Sequence, residues 1–413
     1  MIVNPYPLLK QDNKNLYWCY NINQEQKWNN TKVFPSISDT YKNELVKQQE
    51  QQLILIADDD DIIIVNHAID ESFTHYLETN GLKIPKIVKT EKIESHCKSY
   101  NSILIPYITT EEIILEWSEY FPEILGQNNL NLVKDLNNKL FTKKLALAEG
   151  YPVTDGFIVD NVTDLEESYN LLKARGFEKV VLKIEFGSSG KGLKICNNDE
   201  EFKGLLKYIE RRKTKFCILI EGWYKFEKSL NAQLLIRNED INLLAVTEQI
   251  INDDGVYLGT NFTPSVENNV IDLYKMSIQK MGETIRRLGY RGIVGIDSII
   301  CNKNTVFPII EINARFTQVT YLLPLVEKLL KGNSFIESRF YDLSSINDYD
   351  FNQVLNKIKN QLLNNHFLIY TFAKSKSKGQ VIYRVFILFY ANEHSKIEKM
   401  LSCMIKFSLD ADM

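Results

Sequence analysis

The sequence predicts an α/β (α+β) protein of several domains, and three observations carry that prediction. The chain has 413 residues, more than a single core usually serves. Strand and helix signals alternate through the first hundred residues, the mark of a largely parallel sheet flanked by helices. After about residue 333 the pattern changes to two long apolar strands between helices.

In a first α/β domain, expected over residues 1–125, LILIA (53–57) and IIIV (62–65) read as strands around Asp58 to Asp61. That acidic run is either a solvated turn or a metal site. Asp70 to Asn80 reads as a helix closed by Gly81, and IPKIV (84–88) and ILIPYI (103–108) as strands. Thr109 with Glu112 forms the pattern of a capping box opening a helix toward Tyr120. Over the second expected domain, 126–332, Asn131 to Glu149 has a helical pattern and GFIV (156–159) a strand pattern. Thr163 with Glu166 opens a helix to Arg175. A β-branched strand, a helix from Asp199 to about Arg211, and strands FCILIE (216–221), AQLLI (232–236) and INLLAVTEQ (241–249) follow. Tyr274, Ile278, Met281, Ile285 and Leu288 fall on one helical stripe ended by Gly289. A small C-terminal α/β domain is expected over 333–413. It holds a helix near Phe351–Asn364, strands FLIYTFA (367–373) and VIYRVFILFYA (381–391), a basic hairpin tip KSKSKGQ (374–380) and a final helix.

Composition excludes several function classes. A net charge of −4 gives no broad basic field, which argues against nucleic acid as a partner. Six cysteines are scattered without C-x-x-C, and five histidines without H-E-x-x-H, so neither a zinc cluster nor a disulfide framework is indicated. MIVNPYPLLK lacks the make-up of a secretory signal. No apolar run approaches the ~18 residues of a membrane span. A cytoplasmic setting with no membrane partner is the expectation; the oligomeric state is not readable.

VVLKIEFGSSGKGLKI (180–195) has the make-up of a phosphate-cradling loop. It is not a P-loop, because Gly187 and Gly190 are too close and Gly192 follows Lys191 where Ser or Thr would hold magnesium. A dinucleotide G-x-G-x-x-G is absent as well. The more informative stretch is GIVGIDSIICNKNTVFPIIEINARF (292–316), two apolar strands around a polar turn. Residues two apart in a strand share a face, so Glu311 and Asn313 point together. A hairpin symmetric about Asn304 puts Asp297 opposite Glu311, with Cβ atoms about 4.5–5.5 Å apart. Two carboxylates so placed among apolar neighbours repel and are costly to desolvate, unless a cation sits between them. Two carboxylates and an amide oxygen suit magnesium, with manganese as a substitute. The alternative is ion pairing with Lys or Arg, for instance Arg315. Arg315 otherwise neutralises a substrate carboxylate or a transferring phosphoryl group.

Four blocks over about residues 130–325 resemble, in order, those of the ATP-grasp superfamily of carboxylate-activating ligases. NNKLFTKKLALAEGYPVTDG (137–156) looks like its helix with a nucleotide-binding lysine, matched by Lys139, although Asn138 stands where the family has Asp. VVLKIEFGSSGKG (180–192) is similar to its strand lysine, Lys183, and its glycine-rich lid, Gly187, Ser188, Ser189, Gly190, Lys191 and Gly192. In CILIEGWYKFEKSLNAQ (217–233), Glu221 and Trp223 resemble the adenine-binding hinge and Glu227 the ribose-binding carboxylate. EINAR, with Asp297, Glu311, Asn313 and Arg315, resembles the magnesium and phosphate cluster. The resemblance implies an ATP-grasp fold with a lid near 150–225, between a pre-ATP-grasp domain and a small C-terminal domain. It implies ATP and Mg2+ (or Mn2+) as cofactors. It also implies that an amino-acid or peptide carboxylate becomes an acyl phosphate and passes to an amine. The layout is also similar to ligases that load glutamate onto the phosphopantetheine thiol of an acyl-carrier protein in natural-product pathways. A non-catalytic nucleotide-binding module is the reading from another class, and a kinase without ligation a third.

Overall fold

The computed structural model describes residues 2–10, 14–29, 33–35, 40–96, 101–187, 192–253, 255–302, 305–362 and 366–410. Its described strands form three sheets. The first is parallel throughout, in the order β3-β2-β1-β4-β5, from β1 (Asn15–Cys19), β2 (Ile62–Val65), β3 (Lys86–Lys89), β4 (Ser102–Pro106) and β5 (Glu123–Ile124). β4 buries all five of its residues, as a strand covered on both faces does. The second is antiparallel, β6-β9-β7-β8, from β6 (Gly156–Val159), β7 (Val180–Ile184), β8 (Leu193–Cys196) and β9 (Ile218–Gly222). It packs on its own apolar cluster, with Leu165, Leu172, Val180 and Ile218 fully buried.

The third sheet has eight antiparallel strands. They are β10 (Phe226–Ile236), β11 (Ile241–Ile251), β12 (Tyr257–Asn261), β13 (Gly292–Cys301), β14 (Thr305–Asn313), β15 (Phe335–Ser345), β16 (Phe367–Ser377) and β17 (Gln380–Ala391). Their order is β14-β13-β10-β11-β12-β15-β17-β16. The pairing of β12 with β15, Thr260 opposite Ser338, joins the C-terminal strands to the rest. One large core runs under this sheet and the N-terminal one. The division into 1–125, 126–332 and 333–413 stands as our proposal for folding units, with the last one hydrogen-bonded into the central sheet.

Several sequence expectations shift. LILIA is not a strand: it lies within and just after a 3-10 helix, Gln48–Leu55. The cause is the edge of β16. Gln51 donates from Nε2 to the Phe372 carbonyl at 2.7 Å and accepts from the Phe372 amide at 3.1 Å. Gln48 does the same at Lys374, 3.0 and 3.1 Å. Side-chain amides thus take the place of a neighbouring strand on an edge that would otherwise be open. The helical pattern of Asn131–Glu149 resolves into two helices, Leu130–Leu136 and Lys139–Ala148, because Asn138 caps the second by accepting from the Leu140 and Phe141 amides. The caps expected at Thr109 and Thr163 fall to Thr110 and Asn161. The tip expected as a loop over 374–380 is mostly strand, turning at Lys378 and Gly379, both with positive φ. In the acidic run, Lys83 lies 2.6 Å from Asp58 and Lys10 3.1 Å from both Asp60 and Asp61. Two lysines therefore partly neutralise the four aspartates of that turn.

Candidate active site

The hairpin β13–β14 sets the site. Asp297 pairs directly with Glu311, and Gly295 with Asn313. Asn304, the expected centre, lies outside the described residues, but near the tip Cys301 faces Thr305, which is out of step with a fold symmetric about it. A register slip between Asp297 and Ile299 brings the carboxylates back into opposition. Pro308 lies in the slipped stretch. It has no N–H for the ladder, and its carbonyl accepts from Ser298 Oγ at 2.7 Å.

The two carboxylates are held differently. Glu311 Oε1 is 2.8 Å from Lys139 Nζ, which also donates to the Gly187 carbonyl at 2.7 Å. Asp297 meets only amides. Its Oδ1 accepts from Asn231 at 2.6 Å and Gln249 at 2.9 Å, and its Oδ2 from Asn313 at 3.1 Å. Burial, and then the Glu311 charge, push the Asp297 carboxyl well above the usual range. The donor set fits a divalent cation: two opposed carboxylates, one of them half-buried and hydrogen-bonded to amides alone.

Facing this cluster, Glu221 at the end of β9 is 3 % exposed. Its Oε2 is 2.6 Å from Lys183 and its Oε1 2.7 Å from Lys143, with Thr154 Oγ1 also donating to it. Burial alone would raise this carboxyl; the two ammonium groups outweigh it and bring it down to about 2. Arg315, 8 % exposed, donates to Tyr107 Oη and Asn313 Oδ1, both at 2.8 Å. Burial would lower its pKa, but Tyr107, Glu25, Glu311 and Asp297 together raise it, so it stays charged. A cavity of about 650 Å3 between the lid sheet and the central sheet touches Lys139, Lys183, Glu221, Asp297, Glu311, Asn313 and Arg315.

Comparison with known proteins decides the class. The family model for the L-aspartate–L-methionine ligase ATP-grasp domain matches residues 156–313. The [butirosin acyl-carrier protein]–L-glutamate ligase of Niallia circulans is 36% identical over 404 residues, covering 97% of this chain and 96% of that protein. This chain is an ATP-grasp ligase. Among solved structures, N5-carboxyaminoimidazole synthetase of Staphylococcus aureus with ADP superposes at TM-score 0.57, with 14% identity over 94% of this chain and 96% of that one. Phosphoribosylamine–glycine ligase of Thermotoga maritima gives 0.56, with 12% identity over 95% and 96%. These share the fold. ATP-grasp ligases bind ATP and activate carboxylates at its expense, and this chain is such an ATP-dependent carboxylate ligase.

The ATP-grasp cavity gathers most of the residues predicted from sequence. Gly187 and Trp223 line it with the lysines. Ser188, Ser189, Gly190 and Lys191 lie outside the described residues; Gly192, just beyond them, has φ +87°, where a Cβ would meet Ile184 at 2.9 Å. Asn313 reaches the cluster, but its Nδ2 faces Asp297 and its oxygen faces Arg315. Among the described residues predicted from sequence, Gly192 and Glu227 do not line the cavity, and Glu227 lies far from its expected role. β10 slips register between Phe226 and Lys228, and Glu227 is turned out to solvent, away from the cavity lining. The Trp223 amide donates to the Lys179 carbonyl at 2.9 Å, so the hinge backbone is already engaged. Sequence reasoning missed Lys143, although it lies one helical turn after Lys139 and so shares its face. It also missed Asn231 and Gln249, whose role depends on strand pairing, and Glu25, which reaches Arg315 from the N-terminal segment.

No helix among the described residues is long and apolar enough to cross a membrane.

Proposed function

We propose that this ligase activates the carboxylate of an amino acid, with L-glutamate the first candidate, as an acyl phosphate. It then hands the acyl group to the phosphopantetheine thiol of an acyl-carrier protein in natural-product assembly. The observation that carries the chemistry is one cavity holding Lys139 and Lys183, the Asp297–Glu311 pair and Arg315. The near-full-length likeness to the butirosin carrier-protein glutamate ligase favours that acid and that acceptor. The L-aspartate–L-methionine ligase match supports a second reading, transfer to an amine.

In this scheme a carboxylate oxygen of the substrate attacks the γ-phosphorus of ATP, and the bond to the bridging oxygen of ADP breaks. The acceptor thiol then attacks the acyl carbon, loses its proton and expels phosphate. The protein's work is positioning and charge balance rather than covalent chemistry. Lys139 and Lys183 leave Glu311 and Glu221 to meet phosphate oxygens. Arg315 holds the substrate carboxylate, then the acyl phosphate. The lid residues 187–192 exclude water from the mixed anhydride. Asp297 and Glu311 would hold Mg2+ or Mn2+, joined by Asn313 once its amide turns over. That ion, when bound, neutralises and aligns the triphosphate.

A screen of amino acids for ADP release with hydroxylamine present tests the first half, since hydroxylamine traps an acyl phosphate as hydroxamate. The expected result is hydroxamate from one amino acid or a narrow set, and a matching mass gain on a holo carrier protein. ADP release from none of them overturns the reading.

A further inference from the structure

Unmet hydrogen bonding among the described residues concentrates beside Arg315. Seven buried side-chain polar atoms there and elsewhere lack a partner, and four of them are Tyr20 Oη, Glu25 Oε1, Glu25 Oε2 and Arg315 Nε. Glu25 lies on the 3-10 turn Gln24–Trp28, directly after Ile22 and Asn23, which line the cavity. It is 2 % exposed. Its Oε1 stands 3.5 Å from Arg315 Nη2, while that nitrogen donates to Asn313 at 2.8 Å. The guanidinium is drawn toward the cavity, and the Glu25 carboxyl stands beside it without a hydrogen bond. Tyr20, Tyr107 and Tyr321 crowd the pair, with Tyr20 5.1 Å from Tyr107 and 5.7 Å from Tyr321 between ring centres. Such surroundings screen charge poorly. With no hydrogen bond of its own, the Glu25 carboxyl is coupled to the cavity through its ion pair with Arg315.

Charge balance says which ligand. Glu311 is matched by Lys139, and Asp297 awaits a metal; Arg315 and Glu25 alone form a neutral corner. A plain carboxylate arriving at Arg315 makes that corner net negative. An amino acid brings an ammonium with its carboxylate and keeps it neutral. We propose that Glu25 is a specificity-determining residue that acts through Arg315 and selects a substrate carrying an ammonium group near its bound carboxylate. Glu25 is not among the residues that line the cavity, so the effect is electrostatic rather than by contact. The inference rests on the ligase reading above, with Arg315 as the carboxylate holder.

The test is hydroxamate formation from L-glutamate, or whichever amino acid the screen selects, against its des-amino and N-acetyl counterparts. Wild-type enzyme is expected to prefer the free amino acid in kcat/KM by about 10- to 100-fold, the scale of an interaction with a charged group. This arm needs no variant to fold. In Glu25→Gln the KM for the amino acid rises and that for the des-amino acid falls, shrinking the preference at least about tenfold. A structural prop would not move the two KM values in opposite directions. Equal use of both acids by the wild type overturns the proposal. So does an equal loss of kcat for both in Glu25→Gln with the preference intact. Hydroxamate from no amino acid at all would instead bring down the ligase reading, and Glu25's role with it.

Discussion

Two carboxylates on facing walls of one cavity have been given opposite surroundings. Glu221 has two ammonium partners, Lys143 and Lys183, and is ionised down to about pH 2. Asp297 has three side-chain amides and a facing carboxylate, and burial holds its pKa up. The first is a complete ion cluster with cation to spare. The second is short of positive charge. A cavity arranged so can take an anion at the lysines and a cation at the hairpin, which is what a metal–triphosphate complex brings. Neither half makes sense as structural reinforcement alone. An excess of lysine is as expensive to bury as an unpaired aspartate.

Removing either carboxylate should break the comparison in a different way. Asp297→Asn is expected to lower turnover by about 100- to 1000-fold, the scale of a lost main electrostatic contact, while urea unfolding of the metal-free protein shows no loss of stability. Glu311→Ala should also lower turnover roughly 100-fold or more. Near-normal turnover in either would show that the hairpin holds no catalytic metal. Glu221→Gln goes the other way, leaving two buried ammoniums uncompensated. It should cost about 3–5 kcal/mol of stability by the same unfolding measurement. A stable Glu221→Gln protein would mean water already neutralises the lysines. Lys183→Ala should sharpen the contrast more gently. Lys143 remains to pair with Glu221, so the fold persists, while ATP binding measured by calorimetry weakens by about 10- to 100-fold. If Lys183→Ala unfolds instead, the lysine is a structural partner and not a phosphate contact.

The two halves were unequally legible in the sequence. The hairpin pairing of Asp297 with Glu311 follows from counting along two strands, and a register slip at Pro308 preserved the pair even though the tip is not symmetric about Asn304. Period-2 geometry is local, so it survives in the sequence. Glu227 shows the same effect in reverse: at a slip between Phe226 and Lys228 it is exposed and outside the cavity lining, and nothing in the residue types announces that slip. β1, LYWC with its preceding Asn, went unread because it is five residues long and apolar on both faces, so it has no alternation to detect. LILIA was misread as a strand, since a short apolar run does not separate strand from buried helix. The 3-10 helix that it ends is tied through the Gln51 and Gln48 side chains to backbone groups of Phe372 and Lys374, more than three hundred residues away. Lys143 was within reach of helical spacing; Asn231, Gln249 and Glu25 were not, because their meaning arises only when distant elements pack.

The smallest expected effect is the pH dependence of stability, and it separates the two carboxylates without touching activity. The folded-state pKa of Glu221, about 2, lies below its ordinary value of 4.5. The unfolded chain therefore binds its proton first. Its contribution is complete above pH 4.5 and is lost as pH falls toward 2, with a slope approaching about 1.4 kcal/mol per pH unit. Asp297 is raised, so it runs the other way: the folded state holds the proton more tightly, and stability falls as pH climbs past the usual aspartate range. Denaturant titrations of the metal-free protein should show both limbs. Glu221→Gln should erase the acid limb alone, and saturating magnesium with a nonhydrolysable ATP analogue should flatten the other alone, because a bound cation lets Asp297 ionise at no cost. If metal and nucleotide leave that second limb in place, the ion sits somewhere other than between Asp297 and Glu311.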